Sequence, residues 1–175
     1  MVARRRPMIK LSKKADYAVL VMASLAHRQL KHRDEQTSDG AAALPVPPAS
    51  AHDIADESGV SRALVANILK ALTRADLLES VRGASGGYRI TKPLDDINLA
   101  QIITALEGPI RIVDCASLSE HRSPNVAAHD CSLSDHCPSR SAMHVVQNRI
   151  ARLMEDIHLP ELLQFDYRSA PTLRP

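Results

Sequence analysis

Apolar residues recur every three to four positions near the start of the chain. Ala15, Val19, Met22, Ala23 and Ala26 share one helical face. With Ser12 as N-cap, this predicts a helix over about 13–30. The pattern then lapses. Residues 31–49 hold charged and small side chains, Gly40, and the prolines Pro45, Pro47 and Pro48. They read as a flexible surface loop. Periodicity returns behind Ser50, which caps a short predicted helix over about 51–58 with Ile54 and Ala55 inward. Gly59 suits a left-handed turn, and Val60 plugs it. Ser61 caps a second helix, about 62–75, with Leu64, Ile68, Leu69 and Leu72 on one face. Two strands follow, near 77–82 and 87–91. Gly83-Ala84-Ser85-Gly86-Gly87 joins them, a hairpin loop with glycine where the turn needs positive φ.

Asn98 caps a further predicted helix, about 99–107, carrying Ile102, Ile103 and Leu106 and ended by Gly108-Pro109. Residues 110–138 are irregular and rich in Ser, His, Asp and Cys. Pro138 or Ser139 opens a long helix to about 157. Its stripe of Ala142, Val145, Val146, Ile150, Leu153 and Ile157 is more apolar than a solitary surface helix requires. A two-fold partner is the simplest burial; packing on its own domain is the alternative. The predicted fold is mainly α with a small β wing: a winged helix-turn-helix plus a long C-terminal dimerisation helix. The expected division is a disordered basic tail (1–9, with Met8 a candidate start), a DNA-binding domain (10–109), a cysteine loop (110–138), the dimerisation helix with a short coda (139–165) and a frayed tail (166–175).

Composition narrows the function. The chain has 175 residues, 45% of them apolar, enough for one ordinary domain. Its aromatics are Tyr17, Tyr88, Phe165 and Tyr167, too few for the stacking platform of a single-strand binder. The net charge of +2 is uninformative, but its distribution is not. Arg4, Arg5, Arg6, Lys10, Lys13 and Lys14 crowd the N-terminus, which fits a polyanion partner as well as a solvated tail. No apolar run approaches a membrane span, and no signal peptide is evident, so a cytoplasmic protein is expected. No Ser-His-Asp order, phosphate loop or paired-carboxylate cleft stands out, so neither an enzyme nor a small-molecule substrate is expected.

A helix-turn-helix works because a helix fits the major groove and its first turns reach base edges. The exposed candidates are Ser61, Arg62, Ala63, Ala66, Asn67 and Lys70. Arg62 pairs with guanine or grips phosphate, Asn67 has the chemistry to read adenine, and Lys70 and Ser61 suit phosphate. On the wing, Arg82 and Arg89 flank the glycine loop and Ser85 sits at its tip. A nucleotide-phosphate cradle is the rival reading of the glycines. It needs a helix opening directly from the loop, whereas strand-like Tyr88-Arg89-Ile90 follows.

Cys115, Cys131 and Cys137, the only cysteines, fall directly after this module. In a reducing compartment they are poor disulfide material and better suited to metal or redox chemistry. Three thiolates leave a tetrahedral metal or a cluster one ligand short. Cys131-x5-Cys137 is not the tight pair of a zinc knuckle, and cluster iron accepts wider spacings. His144, His136 and His129 are candidates for the odd ligand. The bland alternative, three small hydrophobes, fits a polar loop badly.

The runs Leu11-Ser-Lys-Lys-Ala-Asp-Tyr-Ala18, Ile54-Ala-Asp-Glu-Ser-Gly-Val-Ser61, Leu78-Glu-Ser-Val-Arg-Gly-Ala-Ser-Gly-Gly-Tyr88 and Asn98-Leu-Ala-Gln-Ile-Ile-Thr-Ala-Leu-Glu-Gly-Pro109 closely resemble the IscR/NsrR-type family of bacterial repressors. The chain looks most like the branch that regulates the SUF system of iron–sulfur cluster assembly. The resemblance implies a homodimer on a roughly palindromic operator in double-stranded DNA. It also implies crossed C-terminal helices and an iron–sulfur cluster on the three cysteines, a 2Fe–2S cluster favoured over a 4Fe–4S cluster. Asp16 occupies the position where some members supply a carboxylate from the partner subunit, and is favoured over His144. A nitric-oxide or redox sensor of the same fold, and a zinc- or thiol-based regulator without a cluster, remain alternatives. The linker at 31–49 and the gap from Cys115 to Cys131 are longer than the family pattern.

Overall fold

Helix α1 (Lys13–Asp39) is the spine against which the rest of the domain packs. The computed structural model describes residues 11–39, 45–83, 85–112 and 137–163. After α1 come α2 (Ala51–Ser58), α3 (Arg62–Arg74), the antiparallel strands β1 (Leu78–Val81) and β2 (Gly87–Ile90), and a 3-10 turn at Leu94–Asp96. Then follow α4 (Leu99–Glu107), α5 (Arg140–Glu155) and α6 (Leu159–Leu163). This is the expected winged-helix arrangement, mainly helical with one two-stranded sheet.

The middle of α1 is buried almost all round, from Val21 to Ala26, including Ser24. That is broader than the single stripe expected, because α2, α3, α4 and α6 all pack on it. Ile54, Val65, Ile68, Leu69, Leu72, Leu77, Leu78, Ile97, Ile102 and Leu159 complete one continuous core. In α3 the fully buried positions are Val65, Ile68, Leu69 and Leu72, and Leu64 is only half-buried. The expected core face therefore holds at Ile68, Leu69 and Leu72, with Val65 added and Leu64 at its edge.

The expected end of α1 fails. The helix does not stop near residue 30 but continues to Asp39, so 31–39 is not flexible loop. Fading apolar periodicity signals loss of burial, not loss of helix. Lys, Arg, Glu and Gln are good helix formers, and no proline intervenes before Pro45. An exposed Lys31–Glu35 pair (3.9 Å) and a Gln36–His32 hydrogen bond (2.7 Å), each four residues apart, add local support. At the end of the linker Ala49 makes an antiparallel bridge to Tyr88, with N–H···O distances of 2.9 and 2.8 Å. A Cβ on Gly87 would lie 2.3 Å from the Ala49 carbonyl oxygen, so this close approach requires glycine.

Other local signals hold, although the Ser61 side chain makes no capping bond to α3. Ser50 caps α2, and Gly59 takes the left-handed conformation (φ 67°) after it. Asn98 and Gln101 form a reciprocal capping box on α4. Helix α5 ends at Glu155, two residues short of expectation. Beyond it, 157–159 lies alongside 97–99: Leu99 N–H donates to Ile157 O and Leu159 N–H to Ile97 O, both at 2.8 Å.

Two features set α5 apart. Its one fully buried side chain is Gln147, while Val145 (52%), Val146 (39%) and Leu153 (59%) are exposed. Ile112 N–H donates to the Gln147 amide oxygen at 2.7 Å, and the amide nitrogen donates to Ile110 O. Residues 1–10, 113–136 and 164–175, and with them Cys115, Cys131, His129, His136 and both tails, lie outside the described residues.

Candidate nucleic-acid interface and thiol site

Ser50 fixes the start of α2 by accepting from Asp53 N–H (3.1 Å) and donating to Asp53 Oδ2 (2.8 Å). The Ser50 hydroxyl holds the Asp53 carboxyl below its ordinary value. The rear of α2 is clamped to α1. Arg28 Nε donates to Glu57 Oε2 at 2.8 Å, its terminal nitrogen pairs with Oε1, and the Ser24 hydroxyl donates to Oε2 at 3.1 Å. The Arg28 bond keeps Glu57 below the usual carboxylate range, against the opposing effect of burial.

With α3's apolar face in the core, Ser61, Arg62, Ala63, Ala66, Asn67 and Lys70 are all exposed together on the opposite side. Ser61 stands at the N-cap, but its side chain makes no capping bond; its carbonyl oxygen accepts from Leu64 and Val65 N–H. Ser61 is exposed and its hydroxyl is not used by the cap, so this helix start has a donor suited to an anion. Arg82 and Ser85 are exposed at the wing loop. Arg89 is different: it stands opposite Glu79 in the sheet register, half-buried and ion-paired with it. Its charge is committed to a neighbour within the wing.

His52 and Asp56 escaped the sequence reading. His52 Nε2 lies 2.8 Å from an Arg62 terminal nitrogen, and His52 Nδ1 lies 2.9 Å from Asp56 Oδ2. Their spacing of four on a short helix was legible as a pair; the contact to Arg62 across the turn was not.

Cys137 is the described cysteine. It immediately precedes α5, partly covered, with its Sγ 3.2 Å from the Ser139 hydroxyl. That hydroxyl lowers the thiol pKa from its ordinary value, and adjacent backbone amides and Arg140 assist. Iron and zinc bind the thiolate, and a lowered pKa makes that form easier to reach. Ser139 stands at the N-cap of α5, as one of the two residues expected to open it, but its hydroxyl makes no capping bond and lies against the sulfur. Asp16 is exposed on the first turn of α1, and His144 is half-buried on α5. Among the described residues no group of three or more His, Cys, Asp or Glu is arranged to hold a metal ion.

Residues 11–164 match the family model Rrf2, described as an iron-dependent transcriptional regulator. The chain belongs to the Rrf2 family. It is 29% identical over 157 residues to the HTH-type transcriptional regulator IscR of Photobacterium profundum, covering 89% of this chain and 76% of that one. It is also 30% identical over 112 residues to Protein aau3 of Rhizobium meliloti, covering 64% and 68%. Among solved structures, T. potens IscR superposes with a TM-score of 0.56 at 24% identity, covering 89% of this chain and 87% of that one. CymR, the global cysteine regulator of B. subtilis, superposes with a TM-score of 0.58 at 24% identity, covering 89% and 97%. This Rrf2 protein is thus a winged-helix, DNA-binding transcriptional regulator of IscR type. No helix among its described residues is long and apolar enough to cross a membrane.

Proposed function

We propose that this Rrf2 protein is a homodimeric repressor whose operator affinity is set by an iron–sulfur cluster on Cys115, Cys131 and Cys137, controlling genes of cluster assembly. The observation that carries the reading is the placement of Cys137: a thiol beside the Ser139 hydroxyl, just ahead of α5, within a chain of a family described as iron-dependent. The donor set fits the group, being three thiolates with Asp16 of the partner subunit, or His144, as the remaining ligand. When bound, such a cluster supplies a charge and an oxidation state that change with iron supply and oxidants.

The chain's own residues do the rest. Residue 112 is held to α5 by Gln147, and residue 137 adjoins its first turn. Both ends of the cysteine segment are thereby tied to one helix. Val145, Val146 and Leu153 on that helix suit burial against a second copy, and the recognition helices would then sit about 34–36 Å apart, one DNA turn. A roughly palindromic operator follows. Ser61, Arg62, Ala63, Ala66, Asn67 and Lys70 read or grip that operator, with Arg82 and Ser85 following the backbone or minor groove. Arg89 steadies the wing through Glu79.

Anaerobic purification followed by a visible spectrum and iron and sulfide analysis tests the cofactor. Brown protein with stoichiometric iron and sulfide is expected. Colourless protein that resists reconstitution would turn the reading to thiol or zinc chemistry, with the winged helix unaffected.

A further inference from the structure

The face of the helix-turn-helix carries a side-chain relay that the family resemblance does not assign. His52 and Asp56 stand one turn apart on α2, with imidazole Nδ1 2.9 Å from Asp56 Oδ2. On the far side of the ring, Nε2 lies 2.8 Å from an Arg62 terminal nitrogen. The same guanidinium nitrogen is 3.9 Å from Asp56 Oδ1. A guanidinium only donates, so Nε2 is the acceptor and the ring's proton sits on Nδ1, donated to Asp56. The carboxylate sets the tautomer, the tautomer provides the acceptor, and the acceptor holds Arg62.

We propose that His52 and Asp56 are positioning residues that hold the Arg62 guanidinium ready to read a DNA base. This rests on the assignment of Arg62 to the DNA interface above.

Three facts support it. Arg62 is the first residue of α3, where a recognition helix meets base edges. Only one of its N–H groups is spent on His52, so the guanidinium keeps donors for a guanine edge. Finally, His52, Asp56 and Arg62 have side chains 54%, 61% and 67% exposed. Contacts that open to water contribute little to folding stability. What they do is restrict a long, rotamer-rich side chain before binding, so less freedom is lost on docking.

The test uses the full chain and two duplexes: one selected from a randomised library by the wild-type protein, and a scrambled duplex of equal length. Arg62→Ala is expected to weaken binding to the selected duplex about tenfold or more. His52→Ala is expected to weaken it about three- to tenfold, with little change on the scrambled duplex. His52→Gln restores affinity, because its amide oxygen can accept where Nε2 does. The double variant His52→Ala/Arg62→Ala binds no worse than Arg62→Ala alone. The relay is overturned if His52→Ala binds like wild type while Arg62→Ala does not, or if His52→Ala costs as much without Arg62 as with it. If the wild-type protein enriches no sequence, or Arg62→Ala costs nothing, the assignment of Arg62 to DNA fails first and the relay with it.

Discussion

Helices α3 and α5 are built on opposite plans. In α3 the apolar residues Val65, Ile68, Leu69 and Leu72 are wholly buried in the chain's own core, and its exposed positions are polar or small. In α5 a glutamine is buried while Val145, Val146 and Leu153 face outward. An α3 of that kind is complete within one chain and offers its polar side to a polar ligand. The α5 surface leaves Val145, Val146 and Leu153 exposed in the single chain, and apolar side chains of this kind gain by being covered. Its buried amide also acts locally, satisfying the backbone at 110 and 112. One helix has its apolar side wholly inside the core and shows a polar side outward; the other buries an amide and leaves apolar side chains exposed.

The contrast breaks most visibly in the core. Ile68→Ala removes a fully buried side chain and should cost about 2–5 kcal/mol in urea denaturation of the cofactor-free protein. A loss well under 1 kcal/mol would mean that α3 is not held by its apolar face. On α5 the corresponding change is Val145→Asp with Leu153→Asp. Sedimentation equilibrium should show a dimer dissociating at least about tenfold more readily, with helical content kept. An unchanged association would leave the stripe without a role in pairing.

Gln147→Ala should have a smaller effect. It strips two hydrogen bonds from backbone groups at 110 and 112 and should cost about 1–3 kcal/mol, with faster hydrogen exchange at the Ile112 amide. Exchange in α3 should stay at the wild-type rate; a matching increase there would show that the two helices unfold as one unit.

The smallest effect lies at the α1–α2 clamp. Glu57 is held below its ordinary value chiefly by the Arg28 side chain. A carboxylate lowered in this way adds stability above its unfolded pKa, and that stability is lost as pH falls through the folded value. Glu57→Gln should therefore be less stable than wild type at neutral pH and converge with it below about pH 4.5, the ordinary glutamate value. The gap at neutral pH should stay under ~1 kcal/mol, because Arg28 and Glu57 are 36% and 39% exposed. A gap that persists unchanged into acid would show that the charge is not what stabilises the clamp.

Much of the DNA-reading half was legible along the chain. Ser50, Gly59, Asn98 and the glycines of the wing each act on their immediate neighbours, so the order α2, turn, α3, wing, α4 follows from adjacent residues. The exposed face of α3 was legible too, since polar residues alternate with leucines at helical spacing. The cysteines were conspicuous by their grouping, yet the lowered pKa of Cys137 depended on where the Ser139 hydroxyl lies.

Tertiary structure decided what depends on contact between distant segments. The sequence could say that Arg89 and Glu79 are both charged, but only strand register set them opposite each other as an ion pair. Only the crossing of α2 and α3 brought His52 to Arg62, and only the placement of α5 gave residues 110 and 112 a glutamine for a partner. Helix α1 shows the same division from the other side. Its first half announces itself through burial, while residues 31–36 are exposed or half-buried, mostly good helix formers with local pairs, which leave no apolar signature. Caps and turns are local and survive in a one-dimensional string. Pairing, burial of polar groups and the reach of long charged side chains depend on where other elements lie, and they exist only once the chain has folded.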